Sequence, residues 1–169
     1  MRFVNASRLI LCSLWLGAAV FFSAVVAPSA FGVLRSFNVS NASQIAGDIV
    51  TRNLGLINIS GLVVGLFLLL TLFMVRHGRA ALITEFICAS LIIACTSVNR
   101  WLLAPRLRDL RVAIALPFEQ VPINDGRRMA FDSLHAYSVN ALALAMIAAL
   151  VLIILIARQR HPIDRHRKP

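Results

Sequence analysis

Long apolar runs and short polar segments alternate along the chain. Four runs, each with no more than one charged residue, cover residues 9–27, 53–75, 80–99 and 136–157. Each run is close to the roughly 20 residues that an α-helix needs to cross the hydrocarbon core of a bilayer. Core helices of soluble bundles keep a polar face, and these runs lack one. The pattern therefore predicts an all-α, integral membrane four-helix bundle, formed by a single domain over residues 1–157.

The first run admits a second interpretation. MRFVNASR is a basic segment in front of an apolar run, which is typical of a secretory signal peptide. The run is long for a signal peptide, however, and Pro28 disturbs both obvious cleavage registers. We therefore expect the first run to form a membrane helix.

The positive charge of the chain indicates which class of molecule it binds. The chain is 59% hydrophobic and carries a formal net charge of +10 at pH 7. Its basic residues lie almost entirely between or beyond the apolar runs, so we expect anionic lipid, and no nucleic acid, as their partner. Residues 158–169 are predicted to form a basic cytoplasmic tail.

The distribution of the same basic residues predicts the orientation, because arginine and lysine are enriched in short cytoplasmic flanks. Nine of them lie in the termini and in the short loop between the second and third runs, whereas eight are spread over two long loops. The denser segments predict that both termini are cytoplasmic, in a bacterial-type inner or plasma membrane.

Two similar segments divide the chain into two halves. VVAPSAFGVLR and WLLAPRLRDLR place Pro28 and Pro105 after the first and third runs, 77 residues apart. Two runs per half predict two loosely repeated helix pairs, related by an axis along the membrane normal. Because proline has no amide donor and crowds the preceding turn, both prolines are expected to kink or stop their helix near the outer interface.

Amphipathic segments precede the second and fourth runs, so these two helices are predicted to extend beyond the membrane. Their N-terminal cap candidates are Ser40, Asn41 and Ser43 in the first half, and Asn124 or Asp125 in the second.

Small residues at four-residue steps allow close helix packing inside the bilayer. They are Gly61 and Gly65 in the second run, and Ala141, Ala145 and Ala149 in the fourth. The spacing fits a contact within the bundle or a dimer interface.

Several segments in the same order resemble a known family. LWLGAAVFFSAVVAPSAFGVL, AGDIVTRNLGLINI, SVNRWLLAPRLRDLR and MAFDSLHAYSVNALAL are similar to the four-helix membrane proteins of the domain of unknown function 4149, the transmembrane protein 205-like family. The resemblance covers about residues 9–146 and implies a four-helix integral membrane fold, without an established reaction. The family-like positions are Trp15, Gly17, Pro28, Phe31, Ala46, Gly47, Asn99, Pro105, Phe131, His135, Ser138 and Asn140.

Polar residues and prolines cluster near the outer ends of the predicted helices. This candidate ligand-binding ring comprises Pro28, Asn99, Pro105, Asp132, His135, Ser138 and Asn140. On the fourth helix, Asp132, His135 and Ser138 follow at three-residue steps and share a face, so Asp132 could orient the imidazole. The ring either binds a small polar ligand, a lipid headgroup or a proton, or it satisfies the carbonyl groups that the prolines leave without donors.

Glu85 is the one acid inside an apolar run. It lies close enough to the start of the third helix to reach toward Arg76, Arg79 or Arg8. Intramembrane ionisable residues are also functional candidates, so a proton or cation site is the alternative.

The remaining chemistry is sparse. Cys12, Cys88 and Cys95 lie inside apolar runs, where a thiol is typically a small buried hydrophobe. We therefore expect no metal and no cofactor. Nucleotide-binding loops, nucleophile elbows and zinc-protease motifs are absent from the sequence, so we expect no enzymatic activity.

Two functional hypotheses follow. The first is a non-enzymatic accessory, scaffold or small-ligand-binding membrane protein that uses the polar ring. The alternative is a small oligomeric transporter or channel that uses Glu85 and His135. Both leave a homo-oligomer or a membrane partner protein open.

Overall fold

A computed structural model describes residues 2–37, 41–75, 78–114 and 120–158 of the chain. This part of the chain is helical, with short connections and no β-strand. Its α-helices are α1 (Arg2–Phe21), α2 (Ala27–Ser36), α3 (Ala42–Thr71), α4 (Arg79–Ser97), α5 (Ala104–Ala113) and α6 (Gly126–Arg158). Ser40, Arg76, His77 and residues 159–169 of the predicted tail lie outside the described residues.

Four continuous helical stretches are long and apolar enough to cross a membrane. They cover Phe3–Ser36, Ala42–Met74, Arg79–Ala113 and Gly126–Arg158. The predicted all-α, integral membrane four-helix bundle is therefore confirmed.

Of the two predicted outcomes, a kink or a stop, the stop is wrong, because both helices continue past their proline. A π-helical segment, Phe22–Val26, joins α1 to α2, and a second, Val98–Leu103, joins α4 to α5. In these wider turns the amide of Ala27 donates to the carbonyl of Phe22, and Ala104 donates to Asn99 in the same way. Each proline then occupies the first turn of the next α-helix, where proline is tolerated. The first and third helices consequently extend about as far as the second and fourth.

The capping predictions are resolved by side-chain hydrogen bonds. Asn41 precedes α3 but makes no side-chain cap bond. Before α6, the Asp125 carboxylate accepts the backbone N–H of Arg127 at 2.8 Å, so Asp125 rather than Asn124 caps this helix. The Arg127 hydrogen bonds hold the pKa of the Asp125 carboxyl below its usual range. Arg127 also donates to the carbonyl of Ala113 at 2.9 Å, which ties the end of α5 to the start of α6.

The helices pack as a square with the two halves of the chain interleaved. Helix α1 packs against α3 and α6, and α4 packs against the same two helices. Helices α1 and α4 therefore face each other across one diagonal. Helix α2 packs on α3, and α5 packs equivalently on α6.

The element bounds follow the repeat that the sequence suggested. The pair α1 and α2 begins at Arg2 and ends at Ser36, and the pair α4 and α5 begins and ends 77 positions later, at Arg79 and Ala113. Equivalent positions in the first and third spanning stretches are each buried. The matched buried pairs are Arg8 with Glu85, Cys12 with Ala89, Trp15 with Ile92, Ala19 with Thr96, and Phe22 with Asn99.

Small residues of α3 create the closest contacts within the bundle. A Cβ atom at Gly61 would lie 2.7 Å from Nε1 of Trp15 and 2.8 Å from Cγ2 of Thr96. The Trp15 indole also donates to the carbonyl of Ile57 at 3.0 Å. Gly65 approaches Ile93 of α4 in the same manner. Gly61 and Gly65 therefore form contacts inside the bundle, between α3 and its two neighbours.

We predict that Gly61→Ala lowers the free energy of unfolding by about 1 to 3 kcal/mol, because the added methyl group overpacks the contact with Trp15 and Thr96. Thermal unfolding of the purified protein in mild detergent measures the change. Gly55→Ala is the matched control on the same helix, since a Cβ there meets no atom within 4 Å. Equal melting temperatures for the two variants would contradict the packing assignment.

Candidate functional site

Polar side chains concentrate at two levels of the bundle. The proline end contains Pro28 and Pro105 together with the starts of α3 and α6. The termini end contains the start of α1 and the end of α6. Between the two ends the interior is mainly apolar, with the fully buried Ile92, Leu68 and Leu152, and it also contains the buried polar side chains of Asn58 and Thr96.

At the termini end, Arg8 and Glu85 form an ion pair inside the bundle. Nη2 of Arg8 donates to Oε2 of Glu85 at 2.5 Å, and both side chains are completely buried. Of the three arginines considered as partners, Arg8 makes the pair, Arg79 is exposed, and Arg76 lies outside the described residues. The Glu85 carboxylate therefore does not reach toward the surface to find its partner, because Arg8 pairs with it in the interior.

This ion pair connects the two halves of the chain across the diagonal. Its partners are 77 residues apart, which is the repeat offset, and they lie on α1 and α4. In the described part of the chain, Nε and Nη1 of Arg8 find no hydrogen-bond acceptor. The arginine is therefore held mainly by the charge of Glu85, which neutralises it inside the bundle.

At the proline end, a buried hydrogen bond joins two of the predicted site residues. Nδ2 of Asn99 donates to the backbone carbonyl of Ser138 at 3.1 Å. Asn99 lies in the second π-helical segment, and both residues are buried. The bond links this segment of the third spanning helix to α6. Within the described residues, Oδ1 of Asn99 has no hydrogen-bond donor.

A cavity of about 290 Å³ lies at the proline end, between α2, α3, α5 and α6. Its apolar wall contains Phe31, Val50, Leu54, Ala104, Leu107 and Phe131. Its polar wall contains Arg35, Ser43, Gln44, Thr51, Arg111, Arg128, His135 and Ser138. Apolar walls with a few convergent polar groups are typical of small-ligand sites.

Arg111 of α5 occupies the centre of the polar wall. Its Nη1 atom lies 3.3 Å from Oδ1 of Asp48 and 3.3 Å from Oγ1 of Thr51. Its guanidinium carbon lies 5.6 Å from the centre of the Phe131 ring, within cation–π range. The guanidinium also approaches the backbone of Gly47 so closely that a Cβ there would lie 2.7 Å from it. The side chain of Arg111 is only 20% exposed, whereas that of Asp48 is 80% exposed.

Sequence reasoning missed Arg111 as a site residue. The sequence placed this arginine only among the charges of a long loop. The available signal was the small Gly47 on α3, since a close approach of another side chain requires a residue without a Cβ at that point.

The predicted polar ring is brought together only in part. Asn99, His135 and Ser138 lie at or beside the cavity, and the His135 ring stacks on Phe131 with centroids 6.1 Å apart. Pro105 lines a separate groove on the other side of α5. Pro28, Asp132 and Asn140 are exposed and are not among the cavity residues.

The proposed orientation of His135 by Asp132 is not seen. Among the described residues, no hydrogen bond joins the Asp132 carboxylate to the His135 imidazole. The ring is instead positioned by stacking against Phe131, one helical turn earlier.

The three cysteines are buried in the spanning helices. The thiol of Cys12 donates to the carbonyl of Ala149 at 3.5 Å. The described part of the chain contains no group of three or more histidine, cysteine, aspartate and glutamate side chains placed to hold a metal ion.

We predict that Glu85→Leu lowers the free energy of unfolding by about 3 to 5 kcal/mol, because it leaves the Arg8 charge buried and unpaired. The double variant Arg8→Met and Glu85→Leu should recover most of this loss, since it removes both charges and retains the volume. Denaturant unfolding in detergent measures both, with Arg79→Met as the control for an exposed arginine. A double variant as unstable as Glu85→Leu would show that the pair does not act as a unit.

Comparison with known proteins identifies the family. Residues 10–115 match the family described as Domain of unknown function (DUF4149). This region includes more than half of the chain and contains the second part of α1, all of α2 to α5, both π-helical segments and both prolines. No curated protein and no solved structure matches the chain significantly. The chain therefore belongs to the DUF4149 family of domains of unknown function.

Proposed function

We propose that this membrane protein is a non-enzymatic binding protein that holds a small amphiphilic anion in the cavity at the proline end. The observation that carries the proposal is Arg111, a largely buried cation fixed on the wall of a mostly apolar cavity. Arg35 and Arg128 line the same cavity and add positive charge. An anionic group beside Arg111 and an apolar group against Leu54 and Leu107 would match both walls.

The hydrogen-bonding state of Arg111 supports this assignment. Its Nη1 atom contacts Asp48 and Thr51, while no hydrogen bond within the described residues uses its Nη2 or Nε atoms. Guanidinium groups donate to carboxylates through two parallel N–H bonds. Arg111 therefore retains donors for a ligand while Phe131 and Gly47 hold its guanidinium in place.

The size of the cavity limits the ligand. A volume of about 290 Å³ is at the small end of ligand pockets, which run from roughly 300 to 1,000 Å³. We therefore expect a short amphiphile or a small aromatic acid.

The interior of the bundle favours binding over transport. A path that uses both Glu85 and His135 would have to cross the apolar core between the two ends. Fully buried Ile92, Leu68 and Ala145 belong to that core, and Glu85 is neutralised by Arg8. These features support a binding or accessory role rather than a small oligomeric transporter or channel.

We also propose that both termini are cytoplasmic, in a bacterial-type inner or plasma membrane, with the proline end on the opposite side. The four spanning stretches support a common side for both termini. The bilayer is the expected partner. A homo-oligomer or a membrane partner protein is compatible with the many exposed apolar side chains of the spanning helices.

The binding proposal predicts that n-octanoate binds the purified protein more tightly than n-octanol of equal chain length, because only octanoate carries an anion for Arg111. Gly47→Ala should weaken octanoate binding by about tenfold, because the new methyl group displaces the guanidinium without removing its charge. Isothermal titration in detergent measures both, and the difference between variants removes the contribution of micelle partitioning.

Gly32→Ala on α2 is the matched control, since a Cβ there meets no atom within 4 Å. It should bind octanoate as the unaltered protein does. Equal binding of octanoate and octanol, or unchanged octanoate binding by a folded Gly47→Ala variant, would refute the proposal.

A further inference from the structure

A second concave surface lies outside the cavity, in a groove between α3 and α5. The groove has a volume of about 590 Å³, and its basic residues are Arg52, Arg100, Arg108 and Arg111. An adjoining recess of about 470 Å³ shares Arg100 and Arg108 with it. Arg111 lines both the groove and the cavity, so it separates the two sites.

Four arginines line the groove and its recess, against two acids, Asp48 and Asp109. Arg52, Arg100 and Arg108 form no salt bridge with any described acidic side chain. Only Arg111 is paired, with the exposed Asp48. Like charges gathered on one groove repel each other, and a bound anion relieves that repulsion. Several guanidinium groups around one point are the usual recognition chemistry for phosphate.

The residues around the groove are of the types that are enriched where a bilayer changes from headgroups to hydrocarbon. Trp101 directly follows Arg100 and is exposed, and tryptophan is enriched at this level of membranes. On α3, Leu56 and Ile59 follow Arg52 at steps of four and seven residues and are also exposed. They line the same groove, so one helical face presents a basic site next to an apolar strip.

We infer that this groove binds an anionic phospholipid, with the headgroup phosphate on Arg52, Arg100 and Arg108. An acyl chain of the lipid lies along Leu56 and Ile59. Three unpaired guanidinium groups favour a phosphomonoester headgroup, which carries up to two negative charges, over a zwitterionic headgroup. The site is separate from the cavity and from its small amphiphile, because none of these three arginines lines the cavity.

The test uses the full-length protein in phosphatidylcholine nanodiscs that contain a small fraction of phosphatidic acid, and native mass spectrometry measures retained phosphatidic acid. The variant Arg52→Gln, Arg100→Gln and Arg108→Gln should retain at least about tenfold less, given the attraction of each arginine to anionic lipid. The variant Arg79→Gln, Arg106→Gln and Arg158→Gln is the charge-matched control. Its three arginines are exposed and do not line the groove, and retention should stay within about twofold.

A further variant and a competition experiment distinguish a bound lipid from bound free phosphate. Leu56→Ser with Ile59→Ser should lower phosphatidic acid retention while all arginines remain, because the acyl chain loses its apolar strip. Millimolar inorganic phosphate should displace little lipid.

Equal loss of phosphatidic acid in the groove and control variants would overturn the site. Displacement by inorganic phosphate, together with unchanged retention by the serine variant, would overturn the lipid and leave a free-phosphate site. Octanoate binding is unaffected by either result, so this test and that of the cavity are independent.

Discussion

A carboxylate and a guanidinium that are both buried in a membrane bundle constrain the rest of the structure. Arg8 needs the charge of Glu85, because an unpaired ion in an apolar interior is costly. Their helices, α1 and α4, lie on a diagonal and pack mainly against α3 and α6. The ion pair therefore restrains the relative height of these two helices across the diagonal. With this restraint, Trp15 and Ile92 are brought to the same level of the core.

The proline end depends on a second constraint, which is that a backbone in lipid must satisfy its own hydrogen bonds. The π-helical segments before Pro28 and Pro105 meet it by widening the helix for one turn. Helices α2 and α5 can then continue past the prolines and pack on α3 and α6. Without these extensions the cavity would lose the walls that Phe31 and Leu107 provide. The same extension brings Arg111 above Gly47.

The sequence predicted what depends on hydrophobic length and on spacing. Four spans, the halves of the repeat and the level of Asn99 and Ser138 all follow from composition and position along a helix. Arg111 did not follow, because its role requires that α5 pass Pro105 and that Gly47 admit a guanidinium. Glu85 pairs with Arg8 rather than with Arg79 because α1 and α4 face each other across the bundle. A pattern of apolar residues does not specify which helices face each other. Asp132 shares a face with His135 on a helical wheel, but the imidazole stacks on Phe131 instead.

Comparison of the two halves separates scaffold from chemistry. Some positions that shape the bundle are similar across the repeat offset, namely both prolines, both π-helical segments and the buried small residues Ala19 and Thr96. Positions on the basic groove differ completely. Arg100, Arg108 and Arg111 of the second half correspond to Ser23, Phe31 and Leu34 of the first. In the first half these three positions hold uncharged residues. The arginines on α5 and its preceding turn are therefore specific to the second half, which agrees with the proposed lipid site.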